Sequence, residues 1–207
     1  NTIASFTGMP PYSELVVHGD GPAYYDAKNV AHGAITRHVY HSEVTSGQRD
    51  LYVYTPPGYD RSKTYPVLYL VGGSGELPHN WIHDGRVNFI LDNLLAEGRA
   101  EPMIIAIPNN QVVHRRHPRH VELTFDLFER ELRQHGIPLV DSKYSTQANP
   151  NGRALSCLSM GGRHTMYVGL NSLDLFGSFG VLSAGDVSAE ESLYDIRNDP
   201  KVNDKID

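Results

Sequence analysis

Several common features are missing from this sequence of 207 residues. It has a single cysteine, which excludes an internal disulfide framework. No apolar run approaches the ~20 residues that a membrane-spanning helix needs. The formal net charge is -6, so the sequence lacks the positive excess that is typical of nucleic-acid binding. We therefore expect neither a membrane nor a nucleic acid among the partners of this protein.

The start of the sequence lacks a signal-peptide pattern, and the first residue is Asn1 rather than a methionine. We expect that a natural N-terminus has been removed. The composition, with 40% hydrophobic and 20% charged residues, is typical of one globular core. Residues 1–31 show weak periodicity and are interpreted as an irregular lead-in or the end of a preceding module. Residues 32–207 are interpreted as one domain.

Short apolar runs alternate with helical patterns along this domain. Strands are predicted at residues 51–55, 67–71, 103–107, 154–158 and 180–183. Helices are predicted from Arg86 to a stop at Gly98, from Leu123 to about Gly136, and from Ser159 to Leu170. Residues 33–44 are predicted as an edge strand that forms an antiparallel hairpin with the strand at 51–55. The alternation predicts an α/β fold, a three-layer sandwich with a mostly parallel sheet.

Three loops follow predicted strands of this sheet. They are the glycine-rich residues 72–75, the pair Asn109-Asn110, and the turn that carries Ser159. Ligands of open parallel sheets bind beyond the carboxyl ends of the strands. The three loops are therefore predicted to converge on one site.

Ser159 lies between an apolar strand pattern and a helical pattern, with Cys157 two residues before it and Gly161 two residues after it. This layout is that of a nucleophile elbow, G-x-S-x-G, with Cys157 in place of the first glycine. Small flanking residues permit the sharp turn that presents the serine hydroxyl, and the free N–H groups of the following helix point to the same place. We predict strained backbone at Ser159 and an oxyanion donor in the N–H of Met160. The alternative is an ordinary serine helix cap.

Further motifs in the same order resemble a known family. Residues 53–59 and 65–70 resemble the opening strands of the esterase D-like α/β-hydrolases. Residues 85–94 resemble the first helix of the feruloyl and acetyl-xylan esterases of carbohydrate esterase family one, and residues 158–162 are similar to that family's elbow. The resemblance covers most of residues 25–185.

The resemblance implies roles for matching residues. Ser159 matches the nucleophile, and the backbone N–H groups of Met160 and Ser74 match the two oxyanion donors, although Gly72 replaces the family's histidine. Trp81 matches a tryptophan that either lines the substrate cleft or anchors the loop. The family implies an extracellular or periplasmic serine esterase of xylan degradation. Its partner would be plant-wall polysaccharide carrying feruloyl or acetyl esters, and no cofactor is implied.

A serine esterase also needs a histidine base and an acid, which follow the serine in α/β-hydrolases. The only histidine after Ser159 is His164, which projects along the helix, so no base or acid is assigned. We therefore expect that the C-terminal strands of the fold are missing. A further strand–helix–strand segment after Asp207 would pack beside the strand at 180–183, and this polypeptide alone would be inert.

Three histidines, His114, His117 and His120, recur at a spacing of three. Pro118 interrupts a helix through them, and no cysteine or carboxylate joins them at ligand spacing, so no metal is expected.

Two alternatives to an esterase of this family stay open. One is an acyltransferase or another ester hydrolase on the same fold. The other is an inactive relative that binds carbohydrate, which is motivated by Cys157, by Gly72 and by the missing base and acid. The acyl group stays undetermined between feruloyl, acetyl and others.

Overall fold

The computed structural model describes residues 17 and 19–184. One six-stranded sheet forms its centre, in the order β1-β2-β4-β3-β5-β6. The strands are β1 (Ala34–Ser42), β2 (Gly47–Thr55), β3 (Val67–Val71), β4 (Ile104–Pro108), β5 (Arg153–Leu158) and β6 (Ser178–Leu182). β2 pairs antiparallel with β1 and β4, and the other pairs are parallel. The predicted sheet with its initial hairpin is confirmed.

Helices cover both faces of this sheet. They are α1 (Asn80–His83), α2 (Val87–Ala96), α3 (His120–Glu131), α4 (Ile137–Lys143) and α5 (Met160–Asn171). Alternate residues of β2 pack on the two faces of the sheet, because successive side chains of a strand point to opposite sides. Leu51 and Val53 join the buried cluster under α3, α4 and α5, whereas Tyr54 joins the cluster under α1 and α2. The predicted three-layer α/β sandwich is therefore confirmed.

The central parallel strands are buried, as their continuous apolar runs predict. Every residue of β4 is buried, and so are four of the five residues of β3. β6 differs, because among the described residues it pairs with β5 alone and exposes Val181 and Leu182.

The helix predicted from Leu123 does not end near Gly136, so this predicted end is wrong. After α3 the chain passes through a π-helical turn (Leu132–Gly136) and continues as α4. In this turn the N–H of Ile137 bonds to the carbonyl of Leu132, five residues back, which shifts the bonding pattern just before Pro138. Val140 of α4 is fully buried in the core, so packing favours the continuation.

The described part of the lead-in, residues 17 and 19–31, contains no helix or strand, and residues of it pack against α2. The Asn93 side chain donates to the carbonyls of Tyr24 (2.8 Å) and Asp26 (2.9 Å). Residues 1–16 and 18 of the predicted lead-in, and the polar stretch after Ala184, lie outside the described residues. None of the helices in the described part combines the length and apolarity needed to cross a membrane.

Candidate active site

Ser159 occupies the sharp turn between β5 and α5. Its backbone has φ 57° and ψ −118°, a conformation that costs a residue with a Cβ about 1–3 kcal/mol. The residue is exposed, and its N–H donates to the carbonyl of Leu182 at 2.9 Å. The strained turn predicted from the sequence is thus observed, and it holds the Ser159 side chain at the carboxyl edge of the sheet.

Gly161 is required by the close approach of α5 to the neighbouring loop. A Cβ at this position would lie 2.6 Å from the carbonyl oxygen of Gly72, 2.8 Å from that of Val71 and 2.9 Å from the Cβ of Cys157. Cys157, which replaces the first glycine of the motif, is fully buried. Burial raises the pKa of the Cys157 thiol to about 12, so it stays protonated and unreactive near neutral pH.

The glycine loop (residues 72–75) passes directly beside Ser159. A Cβ at Gly73 would lie 3.4 Å from the Cβ of Ser159. The side chain of Asn110 donates to the Gly72 carbonyl at 2.8 Å, and that of Gln111 donates to the Gly73 carbonyl at 3.2 Å. The predicted convergence of the glycine loop, the loop after β4 and the elbow is confirmed.

These bonds orient the peptide units of the glycine loop. In a trans peptide the C=O and the following N–H point in opposite directions. Because Gln111 holds the Gly73 carbonyl, the N–H of exposed Ser74 points away from Gln111. Within the described residues, no acceptor bonds to the backbone N–H of Ser74 or to that of Met160. Both predicted oxyanion donors are therefore unpaired there.

A buried arginine supports the loop after β4. The guanidinium of Arg49 donates to the carbonyl of Gln111 at 2.9 Å and to the carbonyl of Asn109. It also lies 3.8 Å from the carboxylate of Glu131, and both side chains are over 90% buried. The loop that carries Asn110 and Gln111 is thereby tied to β2 and α3.

Glu76 accounts for the glycine at position 72. Its carboxylate accepts the N–H of Gly73 at 2.6 Å, and a Cβ at Gly72 would lie 2.9 Å from its Oε2. The carboxylate therefore fills the space that a side chain at position 72 would need.

Trp81 lies in α1, next to the same loop. Its Nε1 would be 3.7 Å from a Cβ at Gly72, and its ring would be 3.1 Å from a Cβ at Gly85. The side chain packs against the core cluster under α1 and α2. This packing agrees with the anchoring interpretation, and a role in lining a substrate cleft stays a prediction.

His164 faces the core instead of Ser159. Its ring is fully buried, with ring centroids 4.8 Å from Phe125 and 4.9 Å from Phe128, and its Nδ1 lies 3.0 Å from the carbonyl oxygen of Met160. Burial lowers its pKa to about 4. This placement agrees with leaving His164 out of the catalytic assignment.

The buried His164 makes a testable contribution to acid sensitivity. The unfolded chain binds a proton at this histidine below pH ~6.5, whereas the folded chain does so only near pH 4. Stability is therefore unaffected by this group above pH ~6.5, falls as the pH drops towards 4, and loses about 3 kcal/mol in total. We expect His164→Gln to show a weaker loss of stability across this window in urea unfolding. Equal pH dependence in both proteins would contradict the assignment.

Of the three histidines after β4, His114 and His117 bond to their own loop, and His120 begins α3. Nδ1 of His114 accepts the N–H of Arg116 at 3.2 Å, and Nδ1 of His117 accepts that of Arg119 at 3.1 Å. Among residues 19–184, no group of three or more His, Cys, Asp or Glu side chains could hold a metal ion.

Sequence patterns missed three side chains of this site, namely Gln111, Glu76 and Arg49. Gln111 directly follows the Asn109-Asn110 pair, which marked the loop without indicating its contacts. Glu76 lies four residues after Gly72, which replaces the family's histidine. This short spacing was the available sign that the two positions are close. Arg49 lies in a strand-like pattern, which does not indicate its contacts with the carbonyls of Asn109 and Gln111.

The family model of the putative esterases matches residues 42–207 of this chain. An endo-1,4-beta-xylanase/feruloyl esterase of Xylanibacter ruminicola is 33% identical over 177 residues, which cover 83% of this chain and 24% of that protein. Endo-1,4-beta-xylanase Y of Acetivibrio thermocellus is 34% identical over 183 residues, covering 83% of this chain and 16% of that protein. The chain thus spans less than a quarter of the length of either relative.

Solved structures show the same likeness. A CE1 ferulic acid esterase from the anaerobic fungus Anaeromyces mucronatus has a TM-score of 0.72 and 29% identity, covering 84% of this chain and 68% of that one. A feruloyl esterase module from Clostridium thermocellum, complexed with sinapinate, has a TM-score of 0.65 and 31% identity, covering 83% of this chain and 61% of that one.

Proposed function

Because the chain belongs to the putative esterase family, we propose that its activity is serine-dependent hydrolysis of carboxylic esters. The observation that carries this proposal is the site around Ser159, an exposed serine on a strained elbow beside two backbone N–H groups that no acceptor of the described residues occupies. A presented hydroxyl and an oxyanion hole are two of the parts that acyl transfer through a serine requires, the others being a base and its acidic partner.

In the proposed reaction, Ser159 Oγ attacks the ester carbonyl carbon and gives up its proton to a base. The oxyanion of the tetrahedral intermediate accepts hydrogen bonds from the N–H groups of Met160 and Ser74. Its collapse breaks the bond to the alcohol oxygen, which takes the proton back from the base, and leaves an acyl group on Ser159. Water then attacks this acyl group, which releases the carboxylic acid and restores the serine hydroxyl. Each oxyanion donor is worth about 3 kcal/mol. The base and its acidic partner are not assigned to any described residue.

The proposed substrate is an acylated plant-wall polysaccharide, with feruloyl or acetyl groups on xylan. The names of the relatives support this class, since one is a xylanase/feruloyl esterase and two similar structures are ferulic acid or feruloyl esterases. Such a substrate lies outside the cell, so we propose an extracellular or periplasmic location.

A fluorophosphonate probe tests the proposal on the full-length protein. We expect covalent labelling at Ser159, located by peptide mass spectrometry, and turnover of methyl ferulate, acetylated xylan or short nitrophenyl esters. The preferred ester in this panel identifies the acyl group. Absence of both labelling and turnover would reject the esterase proposal.

A second candidate, an inactive relative that binds carbohydrate, is favoured by one observation. The Glu76 carboxylate accepts a hydrogen bond from the N–H of Gly73, next to the place where the oxyanion would form. A fixed negative charge there opposes a developing oxyanion. Binding of xylan oligosaccharides without probe labelling would identify this candidate.

Gln111 is proposed as a positioning residue of the oxyanion hole. Replacing it with alanine removes the donor to the Gly73 carbonyl, so the Ser74 N–H loses its fixed direction. We expect kcat to fall about tenfold, equivalent to ~1.4 kcal/mol, with KM changed much less. Gln134→Ala, an exposed position on the π-helical turn, is the matched control. A change in KM alone would contradict the positioning role.

A further inference from the structure

A second concave site lies at the edge of the sheet opposite Ser159. This basal cavity of ≈ 510 Å³ is lined by His38, Tyr59, Arg61, Ser142, Lys143 and Tyr144, together with two threonines. Thr55 of the cavity ends β2 beside the start of β4, because Tyr54 pairs with Ile105, whereas Ser159 follows the last residue of the parallel strand β5. The two sites therefore lie at opposite edges of the sheet. The volume lies within the usual range of small-molecule sites, about 300–1,000 Å³.

Arg61 and Lys143 bring two positive charges to the wall of the basal cavity. Neither Arg61 nor Lys143 forms a salt bridge within the described residues. The carboxylates nearby in sequence are engaged elsewhere. Asp60 accepts the N–H and hydroxyl of Ser62, and Asp141 accepts the Arg153 guanidinium and the Thr146 hydroxyl.

Electrostatic effects inside the cavity agree with this placement. Burial and the charge of Lys143 lower the pKa of His38. Burial raises the pKa of Tyr144, and the charge of Arg61 acts against this rise. The charge of Lys143 therefore acts on His38 and that of Arg61 on Tyr144, and an anion bound in the cavity would be attracted by both cations.

The aromatic part of the wall is held in place. The hydroxyl of Tyr144 lies 2.7 Å from Nε2 of His38, and the hydroxyl of Tyr59 accepts the N–H of Ser145 at 2.8 Å. The two tyrosine rings meet edge to face, with centroids 6.2 Å apart. Fixed rings offer apolar contact area at little cost in conformational entropy.

The remaining lining groups are hydroxyls, from Thr36, Thr55 and Ser142. Hydroxyl side chains both donate and accept hydrogen bonds, which suits a ligand rich in hydroxyl groups. Two cations, two fixed aromatic rings and several hydroxyls together match a ligand with a carboxylate, an apolar ring face and hydroxyl groups.

We propose that the basal cavity binds an acidic sugar, with the uronate carboxylate between Arg61 and Lys143 and the sugar ring against Tyr59 and Tyr144. This site is separate from the elbow and does not depend on the proposed ester hydrolysis. It would hold a carboxylate-bearing saccharide while Ser159 remains accessible at the opposite edge.

The test uses D-glucuronate and D-glucose with the full-length protein, followed by saturation-transfer NMR and calorimetry. We expect glucuronate to bind at least tenfold more tightly than glucose, since glucose lacks the carboxylate. The double variant Arg61→Gln/Lys143→Gln is expected to lose at least tenfold in glucuronate affinity. The control Arg99→Gln/Arg130→Gln removes the same charge from exposed positions outside the cavity and should bind as the wild type does.

Thermal unfolding of each variant verifies that it is folded. Equal binding of glucose and glucuronate would overturn the proposal, as would unchanged affinity in the cavity variant. Inorganic phosphate serves as a further probe. If phosphate displaces glucuronate with equal affinity, the cavity is a simple anion site and the sugar assignment is wrong.

Discussion

Ser159→Ala is expected to lower the rate of ester hydrolysis about 10⁴- to 10⁶-fold while the protein remains folded. The proposed reaction begins with attack by the Ser159 hydroxyl, and alanine has no atom that can replace it. The fold should tolerate the change because the side chain is exposed and both residues carry a Cβ at the same strained φ of 57°. The measurements are kcat/KM on the preferred ester and the Tm of both proteins.

Ser74→Ala provides the matched control for this variant. Ser74 is also an exposed serine beside the site, but its proposed contribution comes from the backbone N–H, which alanine retains. We therefore expect its kcat/KM to stay within about threefold of the wild-type value, far below the loss of an oxyanion donor. A folded Ser159→Ala protein with a comparable esterase rate would reject Ser159 as the nucleophile.

Gly161→Ala is expected to damage both activity and stability. The new methyl group would overlap the carbonyls of Gly72 and Val71 and the side chain of Cys157, so the helix and the glycine loop must move apart. Misplacement by ~1 Å at such a site can cost about 100-fold in rate. Overpacking of this kind costs about 1–3 kcal/mol, which for a domain of this size lowers Tm by about 3–10 °C.

Gly47→Ala separates this steric effect from a general effect of replacing glycine. A Cβ at Gly47 meets only the carbonyl of Thr45, at 3.8 Å, which is an ordinary contact. We expect this control to keep its Tm and its activity. If Gly161→Ala matched the control in both measurements, the close approach of α5 to the glycine loop would not be the reason for a glycine there.

Local sequence pattern was sufficient to predict the strands and the helices α2 and α5. The apolar runs at β3 and β4 predicted buried strands because a strand covered on both faces has no polar side. The end of α2 was predicted from Gly98, which adopts φ +66°, a conformation that glycine enters without steric cost. The elbow was predicted in the same way, since a turn with small neighbours is encoded within five residues.

The side-chain contacts that hold the loops of the candidate site could not be predicted from local sequence pattern. Gln111 and Asn110 reach carbonyls of the glycine loop 38 residues away in the chain, and Arg49 joins two carbonyls 60 and 62 residues away. The helix continues past Gly136 because distant core residues cover α4. These contacts depend on how strands and loops pack in three dimensions, whereas propensity and periodicity report only on neighbours in sequence. By itself, the sequence determined the strands of the sheet, the helices α2 and α5, and the position of Ser159. Tertiary packing decided which side chains hold the glycine loop, that Glu76 fills the space beside Gly72, and that the His164 ring lies in the core.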